Sequence, residues 1–359
     1  MSRAGRWRRG AGVLGAVAGA AGTVAVGAAL GALAERRWAS SRADRVETSP
    51  EAYGSLRGRV HPVTADDGTA LHVEVDGPDD APYTVVFCHG YALRADSWHF
   101  QRRDLTDLGR RVFWDQRGHG RSARGPAEHA TIHQLGHDLA AVIAATAPTG
   151  PLVLVGHSMG AMTIMALARH HPELFADRVS GVALIATAAG PVPGVSLGVG
   201  HLAGRLVHQL APGLLSALTR APRPIGGVWR VGSDFAHAVT AHWAFGSPVP
   251  ASLVRFATEM ITSTPLEVIA DFYPAFDVLD EMDSLEVLNQ GVETLVLVGD
   301  HDQLTPLEHS SAIVAAVHGA ELVVVPHAGH LVMLEHPAVV TAHLRGLVHR
   351  ATRALPRSA

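Results

Sequence analysis

A chain of 359 residues that is 47% hydrophobic and carries a net charge of −4 can bury a large core, and it lacks the basic excess that a nucleic-acid binder needs. All 29 basic side chains are arginine, so Schiff-base chemistry and a Walker-type phosphate loop, which need lysine, are excluded. The single cysteine, Cys88, excludes internal disulfides and cysteine-rich zinc sites and leaves the redox compartment open.

Residues 1–9 form a basic N-terminus with Arg3, Arg6, Arg8 and Arg9, and residues 10–34 then run without a charge. As a helix rising ~1.5 Å per residue, that run is long enough to cross a bilayer. Its abundance of Ala and Gly makes it only weakly hydrophobic, so two readings stand. It is either a membrane anchor or a signal peptide cleaved after Ala32-Leu33-Ala34. The rest of the chain is expected outside the cytoplasm, anchored to the membrane or secreted after cleavage. Arg36, Arg37, Arg42 and Arg45 nearly balance the arginines in front, so charge does not fix the orientation. The polar residues 35–59 read as a linker.

From residue 60 the chain alternates β-rich runs with helical segments, the pattern of an α/β fold with a mainly parallel twisted sheet and helices on both faces. "HPVTADDGTALHVEV" reads as a hairpin turning at Asp67-Gly68, so the sheet begins antiparallel. Six apolar runs follow: "YTVVFCHG", "RRVFWDQRGHGRS", "PLVLVGHSMG", "VSGVALIAT", "ETLVLVGD" and "AELVVVPHAGH". Five of the six stop in a turn containing Gly or His, which gathers polar chemistry at the C-terminal strand ends, where open α/β sheets bind ligands. "TIHQLGHDLAAVIAATA" places Ile132, Leu135, Leu139, Val142 and Ile143 at helical spacing.

The alternation breaks between residues 190 and 291, too long a stretch for a structureless loop. "SLVRFATEMI" and "TPLEVIADFYPAFDVLDEM" read as helices, the second with Thr264 as N-cap and Pro265 at the first helical position. Residues 190–291 are therefore expected to form a helical lid, dividing the core into residues 60–189 and 292–359. Leu253, Phe256 and Met260 share one predicted helical face; Leu266, Ile269, Phe272, Tyr273 and Phe276 lie along another.

"VLVGHSMGAM" carries Ser158 between Gly156 and Gly160, after an apolar strand and before the apolar helix "MTIMALARH". A serine hydroxyl is a poor nucleophile until a base takes its proton, and an attacked carbonyl needs donors for its developing oxyanion. A sharp strand-to-helix turn presents the side chain and exposes backbone N–H groups, but it crowds its neighbours, hence the small residues two before and two after the serine. Gly156, His157 and Gly160 are the expected frame of such an elbow.

Taken together, these motifs resemble the α/β-hydrolase fold family from about residue 60 to the C-terminus. "CHGY" at 88–91 resembles the family's oxyanion loop, which implies that the backbone N–H groups of Tyr91 and Met159 form the oxyanion hole. "DQRGHGRS" at 115–122 resembles its D-x-R-G-x-G-x-S turn, with Asp115 and Arg117 as structural braces and His89 holding the oxyanion loop. "GDHDQLTP" at 299–306 resembles its acid loop and "HAGHLVMLEHP" at 327–337 its histidine loop, in the family's order of serine, acid, histidine. Asp300 and Asp302 both lie just beyond a strand; the family position, four residues before Pro306, implies Asp302. His327, His330 and His336 compete for the base, and the family's Gly-His pair implies His330.

The expected enzyme is then an esterase or lipase-like serine hydrolase acting on a hydrophobic ester, with Ser158 as nucleophile, His330 as general base and Asp302 orienting it, and with no cofactor or metal. A cofactor-free haloperoxidase or perhydrolase uses the same triad. Ser158 argues against epoxide hydrolases and haloalkane dehalogenases, which need an aspartate nucleophile. A catalytically idle, membrane-tethered binding module is the reading from another class. His129, His133 and His137 share helical spacing, but without H-E-x-x-H or a cysteine ligand they read as a solvated face. Cys88 reads as a buried packing residue.

Overall fold

The computed structural model describes residues 51–192, 237 and 239–353. The segment 10–34, with its anchor and signal-peptide readings, lies outside the described residues. Among the described residues no helix is long and apolar enough to cross a membrane.

Strands β1 (Arg59–Val60), β4 (Val73–Asp76), β5 (Thr84–Cys88), β6 (Arg110–Trp114), β7 (Leu152–His157), β8 (Val179–Ile185), β9 (Glu293–Gly299) and β10 (Glu321–Val325) form one sheet in the order β1-β4-β6-β5-β7-β8-β9-β10. β4 runs antiparallel to both β1 and β6, and every later pair is parallel. The expected hairpin is present as β2 (Val63–Thr64) and β3 (Ala70–Leu71), which pair with each other rather than in the main sheet. Gly68 makes the turn possible: it sits at φ 84°, where a side chain is disfavoured, and donates to the Ala65 carbonyl at 3.0 Å.

The parallel strands from β5 to β9 are apolar on both faces because helices cover both, whereas the edge strand β10 leaves Leu322 and Val324 exposed. Side chains alternate across the sheet, so Val85 and Phe87 of β5 join one core while Val86 and Cys88 join the other. Phe87 stacks on Phe113 at 4.6 Å in the first core, where helix α9 (Pro337–Ala351) buries Val340, Leu344, Leu347 and Val348. In the second, α2 (Ile132–Thr146) buries Leu139, Val142 and Ile143 beside α3 (Met159–His170). Each such side chain contributes roughly 1.5–3 kcal/mol on burial. The Thr131 hydroxyl caps α2, accepting the Gln134 N–H at 3.1 Å. The shorter helices in chain order are α1 (His99–Asp104), before β6, and α4 (Pro172–Asp177), before β8.

The described part of the insertion is mainly helical, with α5 (Ala251–Ser263) and α6 (Leu266–Phe272). Thr264 does not cap α6. It ends α5, its hydroxyl facing the carbonyls of Ala92 at 3.3 Å and Met260 at 3.4 Å, and Pro265 takes the cap position with extended geometry. The second helix also stops earlier than its apolar pattern implies, tightening into a 3-10 turn over Tyr273–Phe276 that contains Pro274. Leu253, Phe256 and Met260 pack into the first core with Trp98 and Val332. Phe272 and Phe276, with Val268, pack against Met159 and Met162 instead, while Leu266 is exposed. Residues 51–58, inside the segment read as a linker, also pack: the Tyr53 ring stacks on Phe256 at 5.4 Å. The chain closes with α7 (Leu307–Ala316), β10, α8 (Val332–Glu335) and α9.

Candidate active site

Parallel register aligns the strand ends, with Cys88 opposite both Gly156 and Trp114 and His157 opposite Ile185. The turns that follow β5, β7, β9 and β10 therefore open on one edge of the sheet. Ser158 stands between β7 and α3 at φ 51° and ψ −119°, a conformation that costs a non-glycine residue on the order of 1–3 kcal/mol. Its N–H donates to the Ile185 carbonyl at 2.9 Å and its carbonyl accepts the Thr187 hydroxyl at 2.9 Å, which holds the turn in place. The Ser158 side chain caps no amide of α3, so its hydroxyl is not consumed by the helix it begins.

The two glycines of the elbow are demanded by backbone approach. A Cβ on Gly156 would lie 2.5 Å from the backbone of Ala161, and one on Gly160 would strike the carbonyl of Cys88. The second contact brings α3 against the loop that follows β5. A Cβ on Gly90 would likewise come 2.6 Å from His157 Nδ1, so this loop crosses directly over the His157 ring. Among the described residues neither the Tyr91 nor the Met159 N–H has an acceptor. His89 orders the loop as expected: its Nδ1–H donates to the Gly90 carbonyl at 2.7 Å and its Nε2 accepts the Gln116 N–H at 2.9 Å. Burial drives its pKa down to about 4, which keeps the ring in that neutral tautomer. Tyr91 is tied to the lid, its hydroxyl donating to the Ile269 carbonyl at 2.5 Å and its ring meeting Phe276 at 5.0 Å.

Of the two carboxylates beyond β9, Asp302 meets the imidazole and Asp300 does not. His330 Nδ1–H donates to Asp302 Oδ2 at 2.9 Å, and both residues are buried. The other Asp302 acceptor positions are filled: Oδ1 takes the N–H groups of Leu304 and Thr305, and Oδ2 also takes the Thr305 hydroxyl, all at 2.9 Å. Burial opposes the charge on Asp302, but His330 and Thr305 outweigh it and hold the carboxyl below its ordinary range. With the proton on Nδ1, neutral His330 keeps its lone pair on Nε2.

His330 is set by three segments that touch through glycine. A Cβ on Gly246 would come 2.7 Å from the His327 carbonyl, one on Gly329 would come 2.7 Å from Gly246 N, and one on Gly299 would strike the Ala328 carbonyl. Glu335 locks them together, accepting N–H groups from Gly246 at 3.1 Å, Ser247 at 2.5 Å and Gly329 at 2.7 Å. The His157 Nε2–H donates to the His330 carbonyl at 2.9 Å, which joins the histidine loop to the elbow. Burial first, then the neighbouring His330, pushes the His157 pKa down to about 3, so this ring stays neutral.

Glu335, Thr305 and the bridging role of His157 are missed by the sequence reading. The available signals are a lone acid in the apolar run "HLVMLEHP" and an Asp-x-x-Thr spacing in "GDHDQLTP" that permits an Asx turn. Asp115 and Arg117 brace as expected. Asp115 accepts N–H groups from Ala95 at 2.7 Å and Arg121 at 2.9 Å, and fully buried Arg117 grips Asp138 with two bonds of 2.6 Å. Cys88 is buried against Trp114 Nε1 at 3.4 Å, and burial pushes its thiol up to about 12.

The triple histidine face does not form. His129 precedes α2 in a 3-10 turn and its Nδ1–H donates to Asp67 at 2.6 Å. His133 and His137 meet the end of α3 instead: His133 Nδ1 and His170 Nε2 share a hydrogen bond of 3.0 Å, and the His137 ring lies 4.5 Å from that of His170.

The model of the alpha/beta hydrolase fold family matches residues 83–337. A non-heme haloperoxidase of Rhodococcus erythropolis is 29% identical over 259 residues, covering 69% of this chain and 84% of that protein. A monoacylglycerol lipase of Mycolicibacterium smegmatis is 27% identical over 261 residues, covering 70% of this chain and 81% of that protein. Among solved structures, an esterase from Thermogutta terrifontis is similar with a TM-score of 0.59 at 28% identity, covering 83% of this chain and 99% of that one.

Proposed function

The chain belongs to the alpha/beta hydrolase fold family, and on that premise we propose that it cleaves carboxylic esters of hydrophobic acyl or alcohol groups through an acyl-enzyme on Ser158. The observation that carries the reading is the 2.9 Å hydrogen bond from His330 Nδ1 to buried Asp302, in the same edge of the sheet as the strained Ser158 turn. Ser158 Oγ attacks the acyl carbonyl while His330 Nε2 takes its proton; Asp302 stabilises the resulting imidazolium. The N–H groups of Tyr91 and Met159 hold the oxyanion, each donor contributing about 10²–10³-fold in rate. The imidazolium then protonates the departing alcohol, and a water activated by the same nitrogen releases the acid.

The hydrophobic preference rests on Phe272, Phe276 and Val268, which the lid packs beside Met159 and Tyr91 at the proposed oxyanion hole. Each buried substrate CH₂ contributes about 0.8 kcal/mol, close to four-fold in affinity. With p-nitrophenyl esters from acetate to laurate, kcat/KM rises stepwise until the pocket is filled and then levels or falls. A profile flat or declining from acetate onward would remove the hydrophobic ester from the proposal.

The haloperoxidase relative favours one further reading of the same site. If hydrogen peroxide rather than water takes the acyl group, the product is a peracid. Acetate, peroxide and bromide supplied together, with bromination of monochlorodimedone by the bromide that the peracid oxidises as the readout, separate this outcome from ester hydrolysis.

Residues 10–34 carry the proposal of a membrane tether. The full-length protein sediments with membranes, while a chain beginning at Thr48 is soluble and active. A mature N-terminus at Glu35 found by mass spectrometry would replace the anchor with a cleaved signal peptide.

A further inference from the structure

Two of the groups that compete for the triad, Asp300 and His327, do not join Asp302 and His330 in their hydrogen bond. They meet each other, together with His301, on the exposed side of the same two loops, with one ligand-type atom from each residue within 4.8 Å of the other two. We propose that Asp300, His301 and His327 bind a divalent transition metal of the zinc class and that the metal clamps the acid loop to the histidine loop.

The donor set argues for the class of ion. Two imidazoles and one carboxylate suit zinc, cobalt or nickel, whereas calcium and magnesium prefer all-oxygen shells. Zinc–ligand bonds of about 2.0–2.2 Å put neighbouring tetrahedral ligand atoms about 3.3 Å apart, so atoms now within 4.8 Å of one another need to close by at most about 1.5 Å. His301 Nε2 already lies 4.0 Å from Asp300 Oδ1.

The second observation is that the His301 ring and the His327 backbone are each held in place by a neighbouring loop. His301 Nδ1–H faces the Gly246 carbonyl at 3.4 Å, which leaves the lone pair on Nε2, the nitrogen turned toward Asp300. A ligating histidine characteristically spends its other ring nitrogen on such a carbonyl. His327 is held at φ 58°, a conformation that disfavours a side chain, and its N–H donates to Asp300 Oδ1 at 2.6 Å. Asp300 Oδ1 thus fixes the backbone of one ligand and also faces the Nε2 of the other, with a lone pair left for the ion. The backbone between the loops is zipped as well, with His301 N–H donating to the Ala328 carbonyl at 2.9 Å.

The other imidazole cluster, His133, His137 and His170, makes a poorer site. Two of its rings spend nitrogens on each other at 3.0 Å, and the nearest carboxylate, Glu281, is held by Arg169 at 2.8 Å. It serves as the internal control.

The test is calorimetric titration of the purified full-length protein with zinc chloride, paired with thermal unfolding with and without the ion. The expected result is one zinc per chain and a Tm raised by a few degrees. His301→Ala and His327→Asn each weaken that binding at least tenfold and abolish the Tm rise, while the His133→Ala/His170→Ala double variant changes neither. Asn tolerates the left-handed backbone at position 327, and an unchanged Tm without zinc reports that each variant folds. The proposal is overturned if zinc does not bind, if both loop variants bind it as the parent does, if only the His133/His170 variant loses it, or if calcium chloride binds as tightly as zinc.

Discussion

Ser158→Ala folds as the parent does and loses kcat/KM toward p-nitrophenyl esters by roughly 10⁴–10⁶-fold, with labelling by a fluorophosphonate probe abolished. The size follows from the chemistry. In the proposed mechanism, loss of Oγ leaves no acyl-enzyme and no hydroxyl proton for His330 to take, so only the oxyanion donors and substrate positioning remain. Folding is spared because the elbow is held by backbone bonds, Ser158 N–H to Ile185 at 2.9 Å and the Thr187 hydroxyl to the Ser158 carbonyl at 2.9 Å, and not by the side chain. Alanine keeps the same Cβ at φ 51°, so the strained turn costs no more than before. Turnover retained within tenfold, or labelling that survives, would remove Ser158 from the nucleophile role.

Asp302→Asn costs about 10⁴-fold in kcat, while Asp300→Asn changes it by less than about threefold. An asparagine at 302 offers an amide where His330 Nδ1–H now finds a carboxylate oxygen at 2.9 Å, which favours the tautomer with its proton on Nε2 and removes the charge that stabilises the imidazolium. At position 300 an asparagine oxygen still accepts the His327 N–H, so that loop keeps its shape. Purified variants compared under saturating ester give the ranking directly, and the reverse ranking would make Asp300 the acid. Thr305 enters through the same carboxylate, since its hydroxyl donates to Asp302 Oδ2 at 2.9 Å and restrains the oxygen that faces the imidazole.

Strands and helices of the core are legible in the sequence because their signals are local. A run such as "TLVLVG" needs only its own composition and bounding turn to read as a buried strand, and Ile132, Leu135, Leu139, Val142 and Ile143 announce the buried face of α2 through spacing alone. The Ser158 elbow is legible for the same reason: its strand, its small neighbours and its helix lie within about twenty residues. The choice of Asp302 over Asp300 required the resemblance to a family, because both acids follow one strand and residue spacing alone does not say which loop will face them.

The errors fall where a partner outside the segment decides. Thr264 has the residue type and position of an N-cap, yet its hydroxyl faces Ala92, 172 positions away, and Pro265 takes the cap. His129 has the spacing of His133 and His137 but is drawn to Asp67 and ends before α2 begins.

What the sequence by itself determined is therefore the α/β alternation, the hairpin start and the strand–turn–helix around Ser158, all encoded over short stretches by periodicity and turn chemistry, while the acid and histidine loops came from the resemblance to a family. Tertiary structure alone decided what sets those loops against one another. Glu335 reaches back 89 positions to Gly246 and His157 joins the His330 carbonyl 173 positions on, while Gly246, Gly299 and Gly329 let three backbones touch. Such contacts leave no periodic trace, because a buried carboxylate or a missing Cβ is chosen by whichever distant backbone the fold brings within about 3 Å, and that neighbour exists only once the sheet has assembled.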